Sequence, residues 1–210
     1  MSLSQPAAFF DVLRASILGP TLSQSEVEGC NAIMAACARW PLGWVAYGLA
    51  TSFHESAHTM QPIKEYGGDA YFRRMYDIEG LRPDKARELG NVEPGDGPAF
   101  AGRGYCQLTG RANYAKASNI VGLDLVSDPD LAMRPDVAAK ILERGMRTGW
   151  FTGKKLGDYL PAAGSGTREQ FVRSRRIING SDRAAMIADF AEAFQDALTL
   201  GGWTPIGASS

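Results

Sequence analysis

At 210 residues, with 22 lysines and arginines set against 23 aspartates and glutamates, the chain carries a formal net charge of −1. So even a balance gives no electrostatic reason to expect nucleic acid or an anionic membrane surface as a partner. The length suits one domain, residues 1–210, that can bury a core without disulfides or metal.

Three cysteines do not make a disulfide framework. Cys30 and Cys37 fall on one predicted helix with a rise between them of about 10.5 Å, beyond bridging distance. Together with Cys106 they are expected to be buried, reduced thiols. The apolar patch at residues 7–10 is broken by Asp11 and Arg14 and has no basic residue before it, which is not the pattern of a signal peptide. No apolar run reaches the roughly 18 to 20 residues of a membrane span. The expectation is a chain made in the cytoplasm, with no stripe that would argue for an obligate oligomer, hence a monomer.

The elements follow in chain order. A short helix is expected over residues 7–18. Thr21 or Ser23 with Glu26 forms a capping box, and the spacing of Val27, Ile33, Met34 and Cys37 continues it as an amphipathic helix. Residues 1–41 are thus read as N-terminal helices packed on the remainder. Residues 42–58 are almost all apolar or small, which predicts a central helix buried on most sides. Pro62 and Gly67-Gly68 close it and open a loop.

Pro83 at a first helical position and Gly90 just past an end bound a short helix. Residues 91–98, with Pro94-Gly95 and Asp96-Gly97, read as an irregular loop. An extended segment over 102–108, a helix over 110–118 and a helix from Pro135-Asp136 to Thr148 come next. After a small loop at 161–166, Thr167 and Gln170 cap a helix reaching Ile178. Ser181 caps the last helix, which ends at Gly201-Gly202. Basic residues cluster at Arg168, Arg173, Arg175, Arg176 and Arg183. That cluster reads first as a solvated helix face and, more sharply, as a rim that meets a polyanionic polymer such as a bacterial wall. The sum is an α+β, mainly helical fold in which a buried central helix delivers a residue into a substrate cleft beside a small sheet.

The string His54-Glu55-Ser56-Ala57-His58 matches the His-Glu-x-x-His pattern, in which two imidazoles one helical turn apart bind zinc and the glutamate activates a metal-bound water. A zinc protease of that kind needs a third protein ligand, and the chain has only two histidines. Glu79 or Glu88 would have to serve, and no long helical pattern presents either one to the pair. The same histidines also read as ordinary residues near a helix end.

A second reading begins from the carboxylate. Trp44, Gly48, Thr51 and Glu55 are spaced four, three and four apart, so they share one helix face. Burial at the end of such a stripe disfavours the charged form of a glutamate, and a carboxyl that keeps its proton can deliver it to a leaving oxygen. Cleavage of a glycosidic bond with inversion requires a second carboxylate about 6.5 to 9.5 Å away to activate a water. Glu65, in the following loop, is the natural choice and would be solvated and ionised there. By spacing alone it also reads as a surface charge paired with Lys64 or an arginine. The glycine-punctuated segment from Gly102 to Tyr114, with its Gln, Thr, Asn and Tyr, suits sugar hydroxyls and amides.

Three strings carry a resemblance: Ala50-Thr51-Ser52-Phe53-His54-Glu55-Ser56; Gly102-Arg103-Gly104 through Gln107-Leu108-Thr109-Gly110 with Asn113-Tyr114; and Ile177-Ile178-Asn179-Gly180. In content and order they resemble the signatures of glycoside hydrolase family 19, which contains chitinases and phage or prophage endolysins, and the similarity covers about residues 42–200. The resemblance implies a lysozyme-like fold and inverting hydrolysis of β-1,4 bonds between N-acetylated amino sugars, without cofactor or metal. It implies Glu55 as general acid and Thr109 as the residue that positions the attacking water; the surroundings of the base vary within the family, and of Glu65 and Glu79, which both precede the Gly-Arg-Gly segment, Glu65 is taken as general base with Glu79 in reserve. Gln107, Asn113 and Asn179 are implied as sugar contacts. Arg103 and Tyr105 are counted with them, although Arg103 would serve equally as scaffold. Asn113 has the plainer reading of a helix cap, Asn179 of an Asn-Gly turn and Gln107 of a strand edge.

The expected activity is cleavage of peptidoglycan by an endolysin that reaches the wall once a holin opens the membrane. Chitin oligomers are the alternative polymer. From other classes come the zinc metalloprotease and a catalytically silent sugar-binding protein. Loss of Glu55, Gln107 or Thr109 would mark the silent binder, and all three are present.

Overall fold

The computed structural model describes residues 3–207. Within them the chain forms two compact units. One runs up to Met60 and resumes at Leu142, and the other spans Gln61–Ile141.

The first unit begins with α1 (Pro6–Ser16) and α2 (Gln24–Ala36). Ser23 caps α2 in the expected box: its hydroxyl accepts from the Glu26 N–H, and the Glu26 carboxylate accepts from the Ser23 N–H. The central helix α3 (Leu42–Glu55) is buried along almost its whole length from Gly43 to Phe53. It packs on α10 (Ala184–Leu200), which in turn packs on α1 and α9 (Arg168–Ser174). Ile187, Ala191, Phe194 and Leu198, at spacings of four, three and four, form the buried stripe of α10. Phe53 of α3 meets Phe190 and Phe194 edge to face at centroid distances of 5.0 and 6.0 Å.

Thr167 and Gln170 make the second capping box as expected. The helix it opens stops at Ser174 and tightens into a 3-10 turn over Arg175–Ile177. The last helix departs from expectation at its start: its N-cap is Arg183 in the left-handed conformation (φ 54°), and Ser181 contributes only its backbone carbonyl.

The second unit opens with β1 (Ile63–Lys64), continues through α4 (Asp69–Tyr76), α5 (Pro83–Glu88) and α6 (Asp96–Ala99), and pairs β1 antiparallel with β2 (Arg103–Gly104). The register sets Ile63 opposite Gly104 and Lys64 opposite Arg103. Beyond β2 come α7 (Arg111–Val121) and α8 (Pro135–Thr148), and the division between units falls within α8. The extended segment expected at 102–108 is real but folded back on itself, because Arg103 and Leu108 exchange both backbone hydrogen bonds at 3.1 and 2.8 Å. Two short helices, α4 and α6, occupy stretches read from sequence as loop, where glycines mask the pattern.

Two ion pairs, each with one buried partner, hold this unit. The Arg103 guanidinium donates to Ala99 O, Ala101 O and the Tyr114 hydroxyl and pairs with Asp130 at 2.8 Å. Arg111 clamps Asp96 through two bonds of 2.9 and 2.6 Å. Burial alone would raise the Asp96 carboxyl, yet these bonds, with the Glu93 and Val92 N–H groups, hold it below the usual carboxylate range. Cys30 and Cys37 are buried free thiols pushed upward, Cys37 by burial and the charge of Glu143. Cys106 is likewise in no disulfide but only half-buried, which corrects the expectation for the third thiol. No helix among the described residues is long and apolar enough to cross a membrane.

Candidate active site

α3 ends on Glu55, three residues before the expected limit. Ser56 stops it: its hydroxyl donates to Phe53 O and accepts from Met60 N–H at 3.0 Å, an alternative to helical bonding. Ala57, His58 and Met60 follow in left-handed conformations, with φ of 51°, 69° and 54°. The two histidines therefore do not share a helix face. His58 stacks instead on Phe53 at 4.4 Å, and no group of three potential metal ligands occurs among the described residues.

A carboxylate at the C-terminus of a helix faces the negative end of the helix dipole, where a cation is favoured. Arg175 supplies that cation. Its side chain is 3% exposed and its Nη1 donates to Glu55 Oε1 at 2.7 Å, while Nε donates to Asp182 O at 3.0 Å. The Asn179 N–H in turn donates to Arg175 O at 2.9 Å. One buried arginine thus ties the glutamate to the turn that carries Asn179. The apolar sleeve expected around Glu55 is replaced by this ion pair, and the carboxylate stays one-fifth exposed. Glu55 Oε2 has no hydrogen-bond partner among the described residues. Above it on the same helix, the Trp44 Nε1 and Thr51 Oγ1 atoms are buried with no partner there. His54 has its pKa lowered, chiefly by burial, with Glu55 opposing and Arg175, Arg183 and His58 adding to the lowering.

In the second unit Glu65 follows directly on β1, and its N–H donates to Gly102 O at 2.8 Å. Its carboxylate is bound at both oxygens: the Tyr76 hydroxyl donates to Oε1 at 2.8 Å and the Gly102 N–H to Oε2 at 3.3 Å. It is neither a free loop charge nor an ion-paired one. Burial first, and then its bonds to Glu65 and Tyr71, raise the Tyr76 hydroxyl and keep it a donor. Glu79, the reserve candidate, is exposed and lies among Arg73, Arg74 and Leu81 rather than beside Gly102.

Gly102 is where the expected residues meet. A Cβ placed on it would lie 2.8 Å from Gln107 Oε1, 3.1 Å from Glu65 Oε2 and 3.2 Å from Thr109 Oγ1, so a larger residue there would push the Gln107 amide from its place. Gln107 sits in a left-handed conformation (φ 52°) and donates from Nε2 to Ile63 O at 3.3 Å, which locks its amide to β1. The Thr109 hydroxyl donates to Gln107 O at 2.8 Å, and Asn113 Nδ2 donates to Thr109 O at 2.8 Å.

Two residues expected at the substrate are elsewhere. Arg103 is consumed by its internal bonds and acts as scaffold, and Tyr105 is 1% exposed, a core ring. Sequence reasoning misses Arg175 as a functional residue and counts it with the solvated basic face. The one sequence signal for it is its place four residues ahead of Asn179.

No family model matches the chain. Among solved structures it is similar in fold to chitinase C from Streptomyces griseus HUT6037, with a TM-score of 0.53 and 20% identity over 96% of this chain and 78% of that one. A mutant of chitinase C matches at 0.55 and 18% over the same shares. The chain therefore has the mainly helical, lysozyme-like fold of these enzymes. Among curated proteins, Chitinase 8 of Oryza sativa subsp. japonica is 59% identical over 34 residues, 16% of this chain and 13% of that protein. Chitinase 11 of the same plant is 43% identical over 51 residues, 24% of this chain and 20% of that protein. The chain thus matches a fifth or less of the length of these rice relatives. Both comparisons thus return proteins named as chitinases.

Proposed function

We propose that this chain is a family 19 glycoside hydrolase that cuts β-1,4 bonds between N-acetylated amino sugars by a single displacement. The observation that carries the reading is the convergence of Glu65, Gln107 and Thr109 on Gly102, since the motif nominates Gln107 and Thr109 and the loop position nominates Glu65, in each case before any geometry.

In the proposed reaction Glu55 donates its proton from Oε2 to the leaving glycosidic oxygen while Arg175 holds Oε1. Glu65 takes a proton from the attacking water, and Thr109 orients that water through its hydroxyl lone pairs. Gln107, Asn113 and Asn179 contact the sugars. The bond between the anomeric carbon and the leaving oxygen breaks as the water oxygen bonds from the opposite face, which inverts the anomeric centre. The residues account for each proton without a cofactor.

For the polymer, we favour peptidoglycan. Arg176 is exposed with no ion pair among the described residues, and Arg183 is 62% exposed with only its neighbour Asp182 at 3.9 Å. Both flank the turn of Asn179. Unbalanced cations beside the sugar contacts suit the carboxylates of a wall strand and gain nothing from neutral chitin. Chitin remains the second reading because the similar proteins are named chitinases.

The test is release of reducing ends from purified peptidoglycan and from chitin oligomers in excess EDTA. Release from peptidoglycan with little from chitin is the expected result. Release only from chitin would move the assignment to the second polymer, and activity that appears only when zinc is added would overturn the reading.

A further inference from the structure

We propose that Tyr66, with Tyr71 beside its turn, is a stacking platform for one N-acetylated sugar ring of the bound glycan, in a subsite directly adjoining Glu65. Such a subsite rests on the hydrolase reading and adds a contact that the motifs did not supply.

Tyr66 is 87% exposed, the largest exposure among the big hydrophobic side chains, and makes no ring contact or hydrogen bond among the described residues. A lone exposed aromatic usually calls for no explanation. Tyr66 differs because the backbone on both sides of it is fixed. On one side the Glu65 N–H is bonded to Gly102 O at 2.8 Å. On the other, a Cβ on Gly67 would come 2.8 Å from Tyr71 Cδ1 and 3.0 Å from Phe72 Cζ, so the turn lies directly on those two rings and requires glycine. Tyr71 is itself 37% exposed and meets Tyr76 edge to face at 6.5 Å, and the Tyr76 hydroxyl binds Glu65 at 2.8 Å. A water-facing ring is thereby carried on fixed backbone one residue from the nominated base, with a second tyrosine between its turn and the base's own hydrogen-bond donor.

The chemistry of that surface selects its occupant. A β-linked pyranose presents axial C–H groups on its faces and hydroxyls around its edge. The C–H face complements the electron-rich face of an aromatic ring, and the tyrosine hydroxyl can stay in water with the sugar's polar rim. A tyrosine on fixed backbone loses little freedom on contact, since only two side-chain torsions must be fixed. The stem peptides of a wall strand offer no such flat apolar face.

The experiment uses Glu55→Gln as parent, so that glycan is bound without turnover. N-acetylglucosamine hexamer and soluble peptidoglycan fragments are titrated into the parent, Tyr66→Ala and Tyr66→Trp by calorimetry, and thermal melts check the fold of each. Tyr66→Ala is expected to weaken binding about three- to tenfold with an unchanged melt, and Tyr66→Trp to restore it. Equal affinity of the parent and Tyr66→Ala for both ligands would overturn the platform and leave the hydrolase reading standing. A parent that binds neither ligand would overturn that reading, and the platform with it.

Discussion

Glu55 and Glu65 lie ten residues apart in the chain, and the two units that carry them hold them in opposite ways. Glu55 closes a buried helix, and its Oε1 is gripped by a buried guanidinium at 2.7 Å. Glu65 leaves a two-residue strand, and both of its oxygens accept from neutral donors, a tyrosine hydroxyl and a backbone N–H. One carboxylate thus has an unengaged oxygen on which to carry a proton, and the other has both oxygens fixed as acceptors beside Thr109 and Gln107. The two side chains are thus held by different donors, a guanidinium and neutral groups, and neither a solvated loop nor an apolar stripe describes either one.

The contrast is erased most fully at the carboxylates themselves. Glu55→Gln and Glu65→Gln should each lower kcat about a thousandfold, within the range for loss of a general acid or base. Glu79→Gln should leave turnover near that of the wild type in the same reducing-end assay. A collapse of activity in Glu79→Gln with Glu65→Gln unaffected would reverse the assignment of the base.

Removing the two arginine clamps separates chemistry from scaffold. Arg175→Ala should destabilise the fold by about 3 kcal/mol, because it strips the partner from a largely buried charge, and lower kcat about a hundredfold by freeing Glu55. Arg111→Ala should cost a similar ~3 kcal/mol in urea denaturation by leaving Asp96 buried and unpaired. Because the folded Asp96 pKa is depressed, its stabilisation is present above the ordinary aspartate range and is lost as pH falls through the folded value. The gap between wild type and Arg111→Ala should therefore close in strong acid, and a gap independent of pH would contradict the Arg111–Asp96 pairing.

Tyr76→Phe probes the same contrast from the Glu65 side. It deletes one neutral donor and should cost about 1 kcal/mol of stability and about tenfold in kcat/KM by the same loss of positioning at Glu65. The smallest effect belongs to His54. Its pKa is lowered in the fold, so the unfolded chain binds the proton more readily, and stability from this residue is present above the unfolded pKa of about 6.5 and lost as pH falls. Melting temperatures of the wild type should drop between pH 7 and pH 5 more than those of His54→Gln, and parallel curves would contradict the shift.

Much of the fold is legible in the sequence. Helix spans with strong punctuation come through closely: α8 runs from Pro135 to Thr148 as read, and both Ser23–Glu26 and Thr167–Gln170 form capping boxes. Sequence fails where the decisive force is tertiary. α4 reads as loop because Gly67-Gly68 precede it, yet the helix is held by Phe72 in the core. The pattern carries α3 on to His58 because nothing local reveals that the Ser56 hydroxyl captures Met60 N–H. Of the site residues, Gln107 and Thr109 come from motif and converge with Glu65, which comes from its loop position, whereas Arg103 and Tyr105, from the same string as Gln107 and Thr109, turn inward to the core. Alternation within a segment as tight as 103–108 cannot be read for facing, because the chain reverses there. Arg175 is marked in sequence only by its place four residues ahead of Asn179, because what sets it apart is a contact with Glu55 across 120 positions of chain.

The proposed single displacement would leave its mark on the anomeric form of the first-formed product, and that form is the decisive observable. Proton NMR of a β-1,4-linked N-acetylated oligosaccharide, followed from the first minutes of wild-type turnover, should show the new reducing end appearing as the α-anomer and the β-anomer growing only by mutarotation. A product that appears first as the β-anomer would require a double displacement and would contradict the roles of Glu55 as acid and Glu65 as base.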